Sequence, residues 1–428
     1  MEYLWIIGTL LCIVIGIPVA FAILFGVIVY IWQTGQLNPL ILATRAIMGF
    51  DSFVMLAIPF FILSSNIMSK GGMASRLINF ANILVGHIRG GFGHVNVLTS
   101  VFFAGMSGTA SADVAGLGQI EIPAMIKDGY TPSLAAVVTA VSSTVGPIIP
   151  PSVPFVIYGA LTGTSIGKLF LGGAIPGFLS AFLMMVLIYF IARRHNYGIL
   201  KKRATLSEFF KAFKKSFLAL LTPIIIILGI FTGIFTPTEA SVVAVFYSLI
   251  VTLFIYKEIT VADLPRIIYE SLLLSGQIML IIAVSSAFGW IMLVSGLTGA
   301  LVEFIVSISS EVWVVLLFIN AVLILLGCFV EVSALLIMLA PMFMPLITSL
   351  HLDPVHFGVM LTFNLMIGLV TPPVGLAMYI SCGIAKVDIK DFARDGFPFY
   401  LLLIFALLLI TYCPIIVMFL PNLLMPSH

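Results

Sequence analysis

"GPIIPPS", Gly146 to Ser152, lies inside an apolar run long enough to cross a membrane, yet three of its seven residues are proline. Proline removes a backbone donor and clashes with the preceding helical turn, so this run reads as a spanning helix broken near its middle. The chain repeats the device as "GLVTPPV", Gly368 to Val374; both stretches read Gly-x-x-x-Pro-Pro. The offset of 222 residues between them also pairs Gly105 with Gly327, Ser111-Ala112 with Ser333-Ala334, Pro123 with Pro345 and Pro132 with Pro354. One gapless offset across almost 50 residues marks an internal duplication.

Composition sets the solvent. Of 428 residues, 61% are hydrophobic and 8% charged, against about 25% charged in a soluble domain. Spanning-length apolar runs recur throughout, too long and too continuously apolar for barrel strands. The chain is therefore expected to be an all-α polytopic membrane protein, because lipid leaves only helices and closed barrels with satisfied backbones. Eight of the 19 Lys and Arg fall between Arg193 and Lys215, against the single acid Glu208. That short loop is expected on the cytoplasmic side. Cys12, Cys328, Cys382 and Cys413 are scattered through apolar runs without a disulfide or metal spacing. The N-terminus lacks a basic leader region and a cleavage site, and reads as a retained segment.

Counting outward from the basic loop predicts crossings at 16–34, 52–69, 133–162, 169–192, 217–235, 238–256, 268–296, 354–385 and 397–423. Lys257, Arg266, Lys386, Lys390 and Arg394 then all fall on the cytoplasmic side. Residues 90–126 and 312–348 fit no simple crossing. Each has two apolar arms of roughly 14–16 residues, short of the ~20 that span, around a small polar tip. Re-entrant helical hairpins are expected there, opening to opposite sides of the membrane. The chain thus divides into inverted repeats, 1–205 (hairpin 90–126, broken helix 133–162) and 206–428 (hairpin 312–348, broken helix 354–385). Inverted repeats are the signature of secondary transporters, with sites at the repeat interface.

A broken helix frees carbonyls on one side of the break and presents a positive N-terminal end on the other. Carbonyls and hydroxyls suit a hard cation such as Na⁺, and helix N-termini suit an anion. Two tips facing two breaks therefore predict two Na⁺ sites; prolines that only kink helices for packing are the plainer reading. The first tip offers Gly105, Ser107, Gly108, Thr109 and Ser111. Small residues also serve close helix packing, but these point all round the tip. At the second tip, Glu331 and Ser333 follow Gly327. An acid at membrane depth is a functional candidate, and its bland alternative is a carboxylate satisfied by hairpin backbone. Asp113 and Glu121 stand alike on the first return arm. Ser142, Ser143, Thr144, Asn364 and Thr371 precede the breaks and offer further oxygens.

Other features read as structural. The six histidines fall mostly at segment ends, in interfacial or solvated positions. Residues 76–87 and 297–308 look like amphipathic arm helices preceding the hairpins. "LSEFFKAFKKSF" (206–217) reads as a basic helix on the anionic inner leaflet, and Trp5, Trp32, Trp290 and Trp313 as belt residues. An intramembrane serine protease using Ser107 of "GMSG" is the rival reading, but it needs a histidine at that depth and leaves the duplication unexplained. A channel would need a continuous polar pore. No nucleotide-binding loop is present, and nothing points to nucleic acid or to a catalytic residue.

The run 102–177, "FFAGMSGTASADVAGLGQIEIPAM…GAIPG", resembles the large membrane subunit of tripartite ATP-independent periplasmic (TRAP) transporters, and so does "LDPVHFGVMLTFNLMIGLVTPPVGLAMYI" (352–380). The resemblance extends over essentially the whole chain. It implies an elevator-type, Na⁺-driven importer in a bacterial inner membrane, with the hairpins and broken helices moving as one block against a scaffold of the remaining helices. Its partners would be a small four-helix membrane subunit, expected as a separate polypeptide, and a soluble periplasmic substrate-binding protein. Carried onto this sequence, one Na⁺ site uses Gly105, Ser107, Gly146, Ile149 and Pro150. The other uses Gly327, Val330, Thr371 and Pro373. The substrate, an organic acid of the sialic acid or C4-dicarboxylate type, would lie near Ser107, Thr109, Ser152, Glu331 and Asn364. Overall resemblance leans to sialic acid. No Lys or Arg is expected at membrane depth to grip its carboxylate, which leaves helix N-termini, hydroxyls and bound Na⁺.

Overall fold

The computed structural model describes residues 4–35, 39–107, 109–198, 203–297, 299–300, 303 and 311–425. Among them there are helices and no strands, and seven helices are long and apolar enough to cross a membrane. The repeat is visible in the helix caps. Thr131 and Asp353, 222 residues apart, each cap a half-helix that begins with proline. Thr131 Oγ1 accepts from Leu134 N at 3.2 Å, and Asp353 Oδ1 from Val355 N at 2.7 Å. Thr109 and Glu331, at the same offset, stand at the N-cap of the two return arms.

The segments expected as hairpins and as broken helices are all helical. Gly91–Ser107 leads to the first tip, and Ala110–Gly116 with Gly118–Lys127 returns from it. Pro132–Ser143 and Val153–Thr162 flank the first break. In the second half, Val312–Gly327 and Val332–Ser349 cover the segment expected as the hairpin, and Pro354–Gly368 and Leu376–Ala385 flank the break. The peptide bonds Pro150–Pro151 and Pro372–Pro373 are both cis.

The halves interlock. Leu376–Ala385 packs on Pro132–Ser143, and Val153–Thr162 packs on the second return arm. Buried amides then tie each half-helix to its own hairpin. Asn96 Nδ2 donates to Thr139 Oγ1 at 2.8 Å and Ser142 Oγ to Asn96 Oδ1 at 2.5 Å. In the second repeat Asn364 Nδ2 donates to Asn320 Oδ1 at 2.8 Å, and Asn320 Nδ2 to Thr411 Oγ1 at 3.0 Å. Losing one partner of a buried pair costs about 1–3 kcal/mol. Asn320→Ala should therefore lower the melting temperature of the detergent-solubilised protein by several degrees; an unchanged melting curve would remove this tie from the account.

Two of the remaining helices pack closely on the hairpin and broken-helix segments. The helices Ile166–His195 and Ile389–Tyr412 pack inside, against the hairpins and broken helices. The first can do so because Gly173 brings its backbone onto the Ile148 carbonyl at the break; a Cβ there would stand 2.8 Å from Phe155 Cζ. The outer group comprises Val19–Thr34, Pro39–Phe50, Phe53–Lys70, Leu206–Phe231, Pro237–Ile255 and Leu264–Val294. One end of it is fixed by Lys70–Glu270, by Asn66 Nδ2 on Ser271 Oγ at 2.8 Å, and by Arg76, 3.0 Å from Glu258 and 3.9 Å from the Tyr256 ring centroid.

Some expectations change. "LSEFFKAFKKSF" forms no separate surface helix; it continues the spanning helix Leu206–Phe231, started by a capping box of Thr205 and Glu208. The crossing at 16–34 is the 16-residue helix Val19–Thr34, doubled by Leu4–Val14. The last crossing kinks at Pro414 into Ile415–Leu424. Trp5 is no belt residue: it is 1% exposed, edge-on to Tyr30 and Phe288. His94 and His356 are buried, each hydrogen-bonded to a main-chain carbonyl (Arg89 and Ile410). The first arm helix is Met73–Val85, while 298, 301–302 and 304–308, most of 297–308, lie outside the described residues.

Candidate functional site

At the second break the tip and the broken helix touch backbone to backbone. A Cβ on Gly368 would stand 2.5 Å from Gly327 Cα and 2.8 Å from its carbonyl oxygen. Gly375 N donates to the Cys328 carbonyl at 2.9 Å, binding the far side of the break to the same tip. Only residues without side chains permit this approach. This sets Gly327 and Cys328 of the tip against Gly368 and Gly375 on the two sides of the break. Thr371 Oγ1 donates back to the Ile367 carbonyl at 2.7 Å, which leaves the hydroxyl's lone pairs and the residue's own carbonyl as acceptors.

At the first break Gly146 meets the return arm of its hairpin. A Cβ there would be 2.5 Å from Asp113 Oδ2, and Asp113 is 1% exposed. Hydrogen bonding tightens as the helix ends: Val145 N donates to Ser142 O at 3.1 Å and Gly146 N to Ser143 O at 3.2 Å. Ser152 restarts the helix. Its Oγ accepts from Phe155 N at 3.2 Å and donates to the Pro147 carbonyl. Ile149 and Pro150 also line an apolar cavity of about 570 Å³ between the block and Leu206–Phe231.

Among the described residues, no N–H or O–H donates to the carbonyls of Gly146, Ile149, Pro150, Gly327, Val330, Thr371 or Pro373. Helix ends always leave orphan carbonyls, and on a surface water satisfies them. Here each break lies against a hairpin segment, Gly146 against Asp113 of the first return arm and Gly368 against Gly327 of the second tip, the first break fully buried and the second partly exposed. Clustered carbonyls of this kind can hold a hard monovalent cation by replacing its hydration shell.

The substrate candidates are less alike. Ser142, Ser143 and Thr144, expected to add oxygens, instead bond within the protein: Ser142 to Asn96, the other two to carbonyls one turn back. Asn364 serves the tie to Asn320, although its Oδ1 has no partner among the described residues. Glu331 caps the second return arm, accepting from Ala334 N at 3.2 Å and Ser333 Oγ at 3.1 Å. Thr109 is half-buried at the first tip. Gly108 and the side chains of Gly105 and Ser107 lie outside the described residues. Three features were missed by the sequence reading: the Asp113–Gly146 contact, the amide ties and the Gly173 approach. Only Asp113 had a signal there, as an acid at membrane depth.

The family model of the tripartite ATP-independent periplasmic transporter, DctM component, matches residues 6–416. The sialic acid TRAP transporter large permease protein SiaM of Vibrio cholerae is 41% identical over 408 residues, 95% of each chain. The C4-dicarboxylate TRAP transporter large permease protein DctM of Pseudomonas aeruginosa is 38% identical over 87% of each. Among solved structures, the YdaH transporter of Alcanivorax borkumensis superposes with a TM-score of 0.65 over 86% of each chain at 12% identity, a likeness of fold alone.

Proposed function

The chain belongs to the DctM-component family of TRAP transporters, and on that premise we propose that it is the large permease of a sodium-coupled importer of sialic acid. It is a transporter permease and not an enzyme, so the serine of "GMSG" has no nucleophile to be. The observation that carries the sodium reading is the duplicated junction. Two breaks at one offset each leave carbonyls without donors where a hairpin arm or tip closes on them.

In this reading one Na⁺ is held by the carbonyls of Gly146, Ile149 and Pro150 with Gly105 and Ser107 of the first tip. A second is held by those of Gly327, Val330, Thr371 and Pro373. The acid binds between the tips, near Ser107, Thr109, Ser152, Glu331 and Asn364. The half-helix N-terminus capped by Ser152 and the charge of the two ions offset its carboxylate. Hairpins and broken helices, with Ile166–His195 and Ile389–Tyr412, travel as one block past the outer group, an elevator. A small four-helix membrane subunit widens that scaffold, and a soluble periplasmic protein delivers the acid to a bacterial inner membrane. Sialic acid is favoured by the V. cholerae relative, and a C4-dicarboxylate by the P. aeruginosa one.

Proteoliposomes holding both membrane subunits test this directly. With an inward Na⁺ gradient and binding protein loaded with sialic acid, uptake is expected, and with succinate it is not. Uptake that ignores Na⁺, or that runs at full rate without the binding protein, sinks the reading.

A further inference from the structure

An acid held between the tips meets no Lys or Arg there, yet one arginine stands on the outer group opposite the second hairpin. A cavity of about 260 Å³ separates Pro39–Phe50 and Leu264–Val294 from the second return arm. Its outer-group wall carries Arg45, Ser285, Ser286 and Trp290; the facing wall, including Ile337 and Pro341, is apolar. The Arg45 guanidinium carbon lies 5.5 Å from the Trp290 ring centroid, a stacking that orients the fork without neutralising it. Among the described residues Arg45 makes no ion pair. Ser285 is 4% exposed, and its Oγ has no partner among the described residues. A charged fork beside an unengaged hydroxyl, facing an apolar wall, is a receptor for one carboxylate.

Its height matters. Ile337 to Pro341 follow Glu331 by six to ten residues, about 9–15 Å along the return arm, toward the outer face as the charge bias orients the chain. A block raised by that distance carries its tip to Arg45; a lowered block takes the tip away. We propose that Arg45, with Ser285, receives the carboxylate of the incoming acid when the block is raised. Because the arginine stays on the scaffold, its attraction acts on the outer side only and lapses as the block descends. This rests on the import reading above.

The test is uptake of sialic acid by proteoliposomes of Arg45→Lys, Arg45→Gln and Arg45→Glu, with small subunit and loaded binding protein. Expected initial rates fall in the order Lys, Gln, Glu, about tenfold at Gln, with Na⁺ half-saturation and binding-protein affinity each within twofold of the unaltered protein. Equal rates in all three, or equal losses in all three, overturn the proposal. So does a matching loss of binding-protein affinity, which would make Arg45 a docking residue. A deficit confined to vesicles containing phosphatidylglycerol also overturns it, since the anion would then be a lipid headgroup. Sodium-independent uptake by the unaltered protein would instead defeat the import reading, so the two failures are distinguishable.

Discussion

Gly368→Ala should raise the Na⁺ concentration for half-maximal uptake by ten- to a hundredfold while leaving the protein folded. The added methyl would stand 2.5 Å from Gly327 Cα, and what it meets is backbone, which cannot swing aside as a side-chain end can. Forcing a methylene into a packed contact costs about 1–3 kcal/mol, and every 1.4 kcal/mol is tenfold in an equilibrium. The cost falls on the closure of tip over break, which in the proposed site gathers the carbonyls of Gly327, Val330, Thr371 and Pro373 around the ion. Uptake measured against external Na⁺ checks it. An unshifted half-saturation would mean that this contact is mere packing.

Asp113→Asn is the second large effect. The carboxylate is buried against Gly146, at a junction proposed to hold a cation. A buried charge is expensive unless an opposite charge accompanies it. The sodium ion proposed at that junction would add such a charge, so the amide, of nearly the same shape, would weaken the ion's binding. A rise in Na⁺ half-saturation of at least tenfold is expected, with little change in melting temperature without Na⁺. If Asp113→Asn instead melts early and binds Na⁺ normally, the carboxylate serves the fold and not the ion.

How much of this the sequence disclosed follows from which residues carry their meaning locally. Pro150-Pro151 and Pro372-Pro373 break helices wherever they stand, so both breaks and the duplication were legible. Thr131 and Asp353 stand just before Pro132 and Pro354, a pairing that reads as a helix start. Asn364 was ambiguous. A lone amide before a break looks the same whether it awaits a ligand or is tied to Asn320, 44 residues earlier. Glu331 posed the same choice, and it caps the return arm through Ala334 N. Gly173 could not be read, since a glycine on a spanning helix does not say which neighbour needs the room. The helix Leu206–Phe231 misled because its first turns are amphipathic and basic, a pattern shared by surface helices and by spanning helices that protrude into the cytoplasm.

The block itself is tested most directly by locking it. Phe102 of the first hairpin and Leu220 of the outer group line one cavity, whereas Asn66 and Ser271 join two outer-group helices at 2.8 Å. Each pair is replaced by cysteines in a chain whose four native cysteines are alanine, cross-linked with a short cleavable reagent, and assayed for sialic acid uptake in proteoliposomes. The account predicts that the Phe102–Leu220 bridge stops uptake until the link is cleaved, while the Asn66–Ser271 bridge leaves most of it running. Full-rate uptake through a completely bridged Phe102–Leu220 pair would contradict a block that moves.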